Sequence, residues 1–236
     1  MLFRKRKMLY ILDSDLVVDN VKIDMVDKTK FLGVMIDPYL SFNAHILYIK
    51  GKIARGVGIL NKCKKYLNES TLLTLYYSFV YPYFNYCNCI WGNTYQSYLE
   101  PLVRLQKRAV RIISSAERRA HTEPLFKKLK ILNLSKLFIY CTQLFMFKYH
   151  HGLVPEIFQN FFVHNNTIHS YMTRQSNHMH SFGAHSAQMH RRLRMIGVNF
   201  YNYFYGKLNM DCLFVTYKYH LKKYLIDNDV SLLNNI

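Results

Sequence analysis

The chain has 236 residues, and its 50% hydrophobic content is enough to bury an ordinary core in one large or two small domains. Its 32 Lys and Arg against 14 Asp and Glu give a formal net charge of +18. Such self-repulsion is usually offset by a polyanionic partner, so nucleic acid is the leading candidate and an anionic membrane surface is the second.

A membrane span is not expected, although the stretch 70–99 lacks charged residues and exceeds the roughly 20 residues that a bilayer helix needs. Pro82 and Gly92 interrupt it, and its Thr, Ser, Asn and Tyr side chains each need a polar partner. A buried pair of helices fits better.

The basic start of the chain is not followed by an apolar signal core, so we expect an intracellular protein of the nucleus or cytoplasm.

Metal and disulfide chemistry is not indicated by the cysteines or histidines. The five cysteines are odd in number and show no C-x-x-C spacing, which predicts reduced, mostly buried thiols. Six histidines lie between His164 and His190, but none forms a compact pair with cysteines at ligand spacing. We predict no metal site, and the role of the 164–190 segment stays open.

Short strands are predicted before residue 37. The runs 8–12, 15–18, 21–26 and 30–36 are rich in apolar residues, and Asp and Asn turn signals separate them. They indicate the edge of a small antiparallel sheet. Gly33 interrupts the last run, which predicts either a plain bulge or a close approach of backbone or ligand.

The pattern then changes to helical spacing, with a boundary near Ser41. A first helix is predicted over about 43–67, and a second runs through 71–84, capped by Ser70 or Asn68 and kinked or ended by Pro82. Ser97 and Glu100 have capping-box spacing for a third helix from about Tyr98. The fold class is therefore α+β, mainly α.

The later chain continues in helices and then becomes irregular. Short helical turns are predicted over 123–130, after Thr122, and over 155–162, and a longer helix over 134–151 ends at Gly152. The segment 163–194 is loop-like or weakly stranded. Residues 196–225 can dock as a helix pair, and 230–236 form a tail.

Two basic stripes are the candidate phosphate contacts. Arg and Lys at helical spacing can follow a nucleic-acid backbone without reading its sequence, although a solvated face is the plain alternative. The candidates are Lys50, Arg55 and Lys62 on the first helix and Arg104, Lys107, Arg108 and Arg111 on the third.

Several motifs together resemble the C-terminal part of the reverse transcriptase of jockey-like non-LTR retrotransposons. They are "KFLGVMIDPYLSFNAHI", then L-Y-x-S-x-x-x-P-Y-x-x-Y-C-x-x-x-W-G-N-T, L-x-x-L-Q-K-R-A-x-R-I-I, "HTEPLFKKLKIL" and "HSYMTR". The resemblance covers about Thr29 to Arg174 and extends more loosely to Leu225. "GVNFYNYF" departs from the family's G-P-x-x-W-N-x-L-P pattern, with Val198 for proline and Tyr201 for tryptophan.

The resemblance implies an organisation in three parts. Residues 1–40 would be a remnant of the polymerase palm, 41–152 a helical thumb-like domain and 153–236 a C-terminal extension. Phe31, Leu32 and Gly33 would form a primer-grip-like segment. The implied partners are RNA and DNA as a template–primer duplex, with neither a membrane nor a small-molecule substrate.

Catalysis is not expected of these residues alone. The family's F-A-D-D or Y-A-D-D turn supplies the carboxylates that hold two metal ions, and this sequence has no Asp-Asp pair. No catalytic residue and no cofactor is therefore assigned, since Mg would belong to the missing palm, and the chain resembles a truncated element. The alternatives are a free-standing basic helical interaction module and an incomplete form of an active reverse transcriptase.

Overall fold

Two β-hairpins come first in the part of the chain that the structure, a computed structural model, describes: residues 1, 3, 16–168, 173–181, 183 and 191–230. Strands β1 (Val17–Val18) and β2 (Val21–Lys22) pair antiparallel, as do β3 (Thr29–Phe31) and β4 (Val34–Ile36). The second pair aligns Lys30 with Met35. The strand predicted at 8–12 lies outside the described residues.

The second hairpin corrects the prediction for the run 30–36, which is not one strand with a bulge. Leu32 and Gly33 both have positive φ, 44° and 84°, and together form a two-residue turn between β3 and β4. Such turns match the twist of the strands they join and favour glycine in the second position. Gly33 is therefore required by the turn itself.

Helices make up most of the remaining described chain, which confirms the mainly α, α+β fold class. Among the described helices, none combines the length and apolar character that a bilayer span requires. A 3-10 turn occupies Glu156–Phe158. The helices are α1 (Asn43–Cys63), α2 (Glu69–Phe79), α3 (Tyr81–Asn85), α4 (Asn88–Trp91), α5 (Gln96–Ile113), α6 (Glu123–Lys128), α7 (Leu134–His150), α8 (Asn165–Ile168), α9 (Leu193–Phe204) and α10 (Phe214–Asp227).

Helix ends follow the predicted signals in three places. The side chain of Asn68 accepts a hydrogen bond from the backbone N–H of Thr71 at 2.8 Å, which selects Asn68 over Ser70 as the α2 cap. Pro82 lies in the first turn of α3, directly after α2 ends. Gly152, with φ +65°, follows the end of α7.

The predicted capping box of the third helix is wrong. Helix α5 begins at Gln96 after Tyr95, and no side chain caps it, so Ser97 already lies inside the first turn. Glu100 instead contacts Arg104 Nε through Oε1 at 3.0 Å, an i,i+4 ion pair. Glu100 therefore forms an ion pair along the helix surface and not the reciprocal hydrogen bond of a capping box.

One hydrophobic cluster of buried residues extends from α1 to α10. Helix α1 packs along α5, while α7 contacts α4, α9 and α10. Trp91, Tyr76, Phe147 and Tyr217 are among its largest buried side chains. The cluster continues past residue 152, and the division into 1–40, 41–152 and 153–236 stays a prediction.

Two buried glutamine amides link helices across this core. Gln106 Nε2, on α5, donates to Tyr76 Oη at 3.2 Å and to the Leu132 carbonyl at 3.0 Å. Gln143 Nε2, on α7, donates to Tyr217 Oη at 2.8 Å. A buried amide without partners would cost about 1–3 kcal/mol, so these bonds favour one packing of α2, α5, α7 and α10.

Helix α1 approaches the end of α2 closely at Gly56. A Cβ at this position would lie 2.8 Å from both the Phe79 carbonyl oxygen and Val80 Cγ2. Gly58, two residues later on the same helix, has no atom within 4 Å of its Cβ position. A substitution at Gly56 therefore tests the close contact between the helices, whereas a substitution at Gly58 tests helix propensity alone.

We expect Gly56→Ala to lower the free energy of unfolding by about 1–3 kcal/mol, because overpacking forces α1 away from α2. Gly58→Ala should raise it by up to about 1 kcal/mol, because alanine is the better helix former. Urea unfolding followed by circular dichroism measures both. A Gly56→Ala protein as stable as the Gly58→Ala protein would contradict this packing.

Candidate nucleic-acid interface

Helix α5 presents basic side chains beside its buried face. Arg104, Arg108 and Arg111 lie at i, i+4 and i+7, so they share one side of the helix, and Lys107 is their neighbour. Arg104 pairs with Glu100, but this exposed pair contributes little to stability. Lys107 and Arg108 are exposed and make no ion pair within the described residues.

Arg111 differs from the rest of the stripe. It is half-buried, and its Nε donates to the Ala120 carbonyl at 2.9 Å, which fixes the loop after α5. That loop exposes Arg118 and Arg119, two basic residues that helical spacing does not reveal. Their signal in the sequence is simply an adjacent arginine pair.

The candidates on α1 are exposed but do not form one stripe. Arg55 and Lys62 are separated by two helical turns and share a side. Lys50 is rotated from Arg55 by roughly 140° about the helix axis, given 100° per residue. Lys50 therefore faces a different direction and cannot contact the same part of a ligand as Arg55 and Lys62.

The predicted primer-grip segment is the tip of the second hairpin. Phe31 and Leu32 are 60% and 73% exposed, which is unusual for large apolar side chains. The Oη of Tyr86 donates to the Leu32 carbonyl at 2.5 Å, and its ring lies 3.3 Å from where a Cβ of Gly33 would be. The hairpin tip thus rests on the Tyr86 ring, with its apolar side chains outward.

A carboxylate organises the junction between this hairpin and α1. Asp37 accepts hydrogen bonds from the backbone N–H groups of Tyr39, Ser41 and Phe42 and from Ser41 Oγ, at 2.9 to 3.1 Å. Thr94 Oγ1 then donates to the Ser41 carbonyl at 2.6 Å. The turn before α1 is therefore joined to the segment before α5.

The Trp-Gly motif before α5 is part of the same junction. Trp91 is fully buried, and its Nε1 donates to the Tyr86 carbonyl at 2.8 Å. A Cβ at Gly92 would lie 2.6 Å from the Asn88 carbonyl and 2.8 Å from Phe138 Cδ2, so only glycine fits. These residues serve packing, and a base-stacking role for Trp91 is excluded by its burial.

His45 connects the hairpin to this junction. Its Nδ1 accepts from the Met35 backbone N–H at 3.4 Å, and its ring makes an edge contact with Trp91 at 5.6 Å between centroids. Nδ1 can accept only while unprotonated, and burial lowers the pKa of His45 below its usual 6.5. The neutral imidazole therefore belongs to the folded state.

No metal centre is evident in residues 16–168, 173–181 and 191–230, since no three His, Cys, Asp or Glu side chains there are grouped to hold an ion. The cysteines are free and half-buried. Burial and the neighbouring Cys89 raise the pKa of Cys141 to about 12, which makes it a poor nucleophile. The lack of a catalytic or metal residue stays a prediction.

We expect the free energy of unfolding to fall as pH drops below about 6.5, because His45 then binds a proton in the unfolded state but not yet in the folded state. The decline should continue down to the lowered pKa of the folded protein. His45→Asn, which keeps an acceptor but cannot titrate, should show a shallower pH dependence of the melting temperature. Identical pH profiles of the two proteins would contradict this role.

A comparison with curated proteins finds "Probable RNA-directed DNA polymerase from transposon X-element" of Drosophila melanogaster, 27% identical over 118 residues. The match covers 48% of this chain and 13% of that protein, so the chain spans a small part of its relative's length. No family model matches the sequence, and no solved structure matches it. The predicted resemblance is confirmed: this chain is similar to a segment of a transposon reverse transcriptase.

Proposed function

We propose that this chain is a nucleic-acid-binding part of a transposon RNA-directed DNA polymerase. In this proposal, exposed basic side chains on α1 and α5 hold the template–primer duplex by its phosphates. One observation carries it: Lys107 and Arg108 lie exposed beside Arg104 on α5, and neither makes an ion pair within the described residues. The net charge of +18 and the sequence similarity support it.

The grip would depend on charge and rigidity. Helix α5 is anchored through Gln106 and its buried face, so its outward cations are held at fixed spacing. Phosphate contacts of this kind position a duplex without selecting its sequence. Residues 41–152 would act as the thumb, and the exposed hairpin tip at Phe31 and Leu32 would contact the primer end.

Nucleotide transfer is assigned to another part of the polymerase. The chemistry needs paired carboxylates around two metal ions, and this sequence has no Asp-Asp pair. We therefore propose that the chain is inactive alone and that Mg belongs to the palm. An intracellular location, nuclear or cytoplasmic, would follow from this role.

The test replaces Arg104, Lys107 and Arg108 together with glutamine. On duplex, the slope of log affinity against log salt should become less negative by about 0.9 for each phosphate that the variant no longer binds. Sequence preference and stability should hardly change, because glutamine is close to Lys and Arg in helix propensity. Fluorescence anisotropy over a salt series measures the slope.

Arg111→Gln is the matched control on the same helix. It should lower stability by roughly 1 kcal/mol, because the bond to the Ala120 carbonyl is removed, and it should change the salt slope less than the triple variant does. An unchanged slope in a folded triple variant would place the grip elsewhere. Failure of the wild-type chain to bind heparin or DNA-cellulose would favour the interaction-module alternative.

A further inference from the structure

Helix α10 carries lysines that the α1 and α5 faces do not include. Lys218 and Lys222 lie one turn apart and share a side of α10. Lys148 of α7 and Lys130, just after α6, flank them. We call these four residues the second lysine line.

Ring contacts establish that the line is continuous at its first end. Lys148 Nζ lies 5.1 Å and Lys218 Nζ lies 5.5 Å from the centre of the same Phe214 ring. Two cations from different helices therefore share one aromatic side chain. At such exposed positions a cation–π contact contributes only about 0.5–1 kcal/mol, which does not by itself explain the pairing.

The other end brings Lys222 toward Lys130 and α2. Lys222 Nζ lies 6.0 Å from the ring centre of Tyr77, and α10 packs against α6. Burial, and then the charge of Lys130, lower the pKa of Lys222 below its usual 10.5. Two like charges thus lie near each other where α10 packs on the end of α6, an arrangement that an anion would stabilise.

No carboxylate neutralises this line in the part of the chain that the structure describes. Lys128 pairs with Glu69 at 2.6 Å and Lys136 with Glu123 at 3.4 Å, whereas the four lysines of the line make no ion pair there. Neighbouring lysines on α6 and α7 are thus neutralised locally, and these four are not. The charge pattern fits an external polyanion.

The surface beside the line is apolar and exposed. Tyr219 is 64% exposed next to Lys218, and Val215 is 76% exposed one turn earlier. A row of cations beside an accessible ring is how proteins hold single strands, with phosphates on the cations and bases on the ring. The lysines come from three segments, unlike the polar face of a single helix that lies in a membrane surface.

We propose that the second lysine line is a binding site for single-stranded nucleic acid, with Lys130, Lys148, Lys218 and Lys222 contacting phosphates and Tyr219 stacking on a base. The site extends the proposed function, on which it rests, because a chain that holds a template–primer duplex also meets the unpaired template strand.

The test compares a single-stranded oligouridylate with a hairpin duplex, using a variant in which all four lysines become glutamine. For the single strand, the salt slope should become less negative by about 0.7 for each phosphate left unbound, and the duplex slope should stay unchanged. The Arg104/Lys107/Arg108 variant should show the reverse. Tyr219→Ala should weaken single-strand binding several-fold, and Tyr219→Phe should restore it.

A control variant removes the same charge elsewhere, by glutamine at the exposed Lys28, Lys30, Arg174 and Arg192. An equal effect of this control on the single strand would overturn the site, as would an unchanged single-strand slope in the folded test variant. If the quadruple variant unfolds, Lys148→Gln with Lys218→Gln gives the same readout. The site would also be overturned if the wild-type protein bound phosphatidylserine vesicles but not oligouridylate. Failure of the wild-type protein to bind the hairpin duplex, with oligouridylate still bound, would count only against the α1 and α5 interface.

Discussion

The buried carboxylate of Asp37 is the interaction on which the arrangement of the basic helices depends. It satisfies three backbone N–H groups at the start of α1, and the same turn is tied through Ser41 to Thr94, just before α5. Removing the carboxylate would leave those donors buried or half-buried without partners, at about 1–3 kcal/mol each. One acidic side chain in a very basic protein therefore holds the turn that joins the hairpin to α1 and, through Ser41, to the segment before α5.

The residues that carry the sequence resemblance are mostly structural. Trp91, Gly92 and Thr94 are used for packing and hydrogen bonding at the junction, and Gly33 for a tight turn. The match of these residues to a transposon polymerase therefore indicates, above all, similar local structure. The proposed binding function depends instead on exposed cations, of which Lys107 and Arg108 belong to the L-x-x-L-Q-K-R-A-x-R-I-I motif and Arg104 occupies one of its variable positions.

Sequence patterns predicted the helices well where the signal was local. The Asn68 cap, the break at Pro82 and the end of α7 at Gly152 each depend on a few neighbouring residues. The run around Gly33 shows the limit of such patterns, because its apolar side chains indicate a buried strand, whereas Leu32 is 73% exposed at a hairpin tip. Period alone does not distinguish a buried strand from an exposed apolar turn.

The candidate interface was only partly predictable. Helical spacing located the α5 stripe, but the bond from Arg111 to Ala120 depends on how the following loop folds back. The second lysine line joins Lys148 to Lys218 through Phe214, and Lys148, which is far from both in the sequence, meets them only through the packing of α10 on α7. Tertiary contacts of this kind produce no periodic pattern in the amino-acid sequence.

Lysine acetylation followed by mass spectrometry, with and without a saturating duplex, tests the central claim most directly. We expect duplex to protect Lys107 on α5 and Lys62 on α1 from acetylation, while exposed Lys28 stays reactive. Saturated binding with Lys107 and Lys62 as reactive as in the free protein would contradict it.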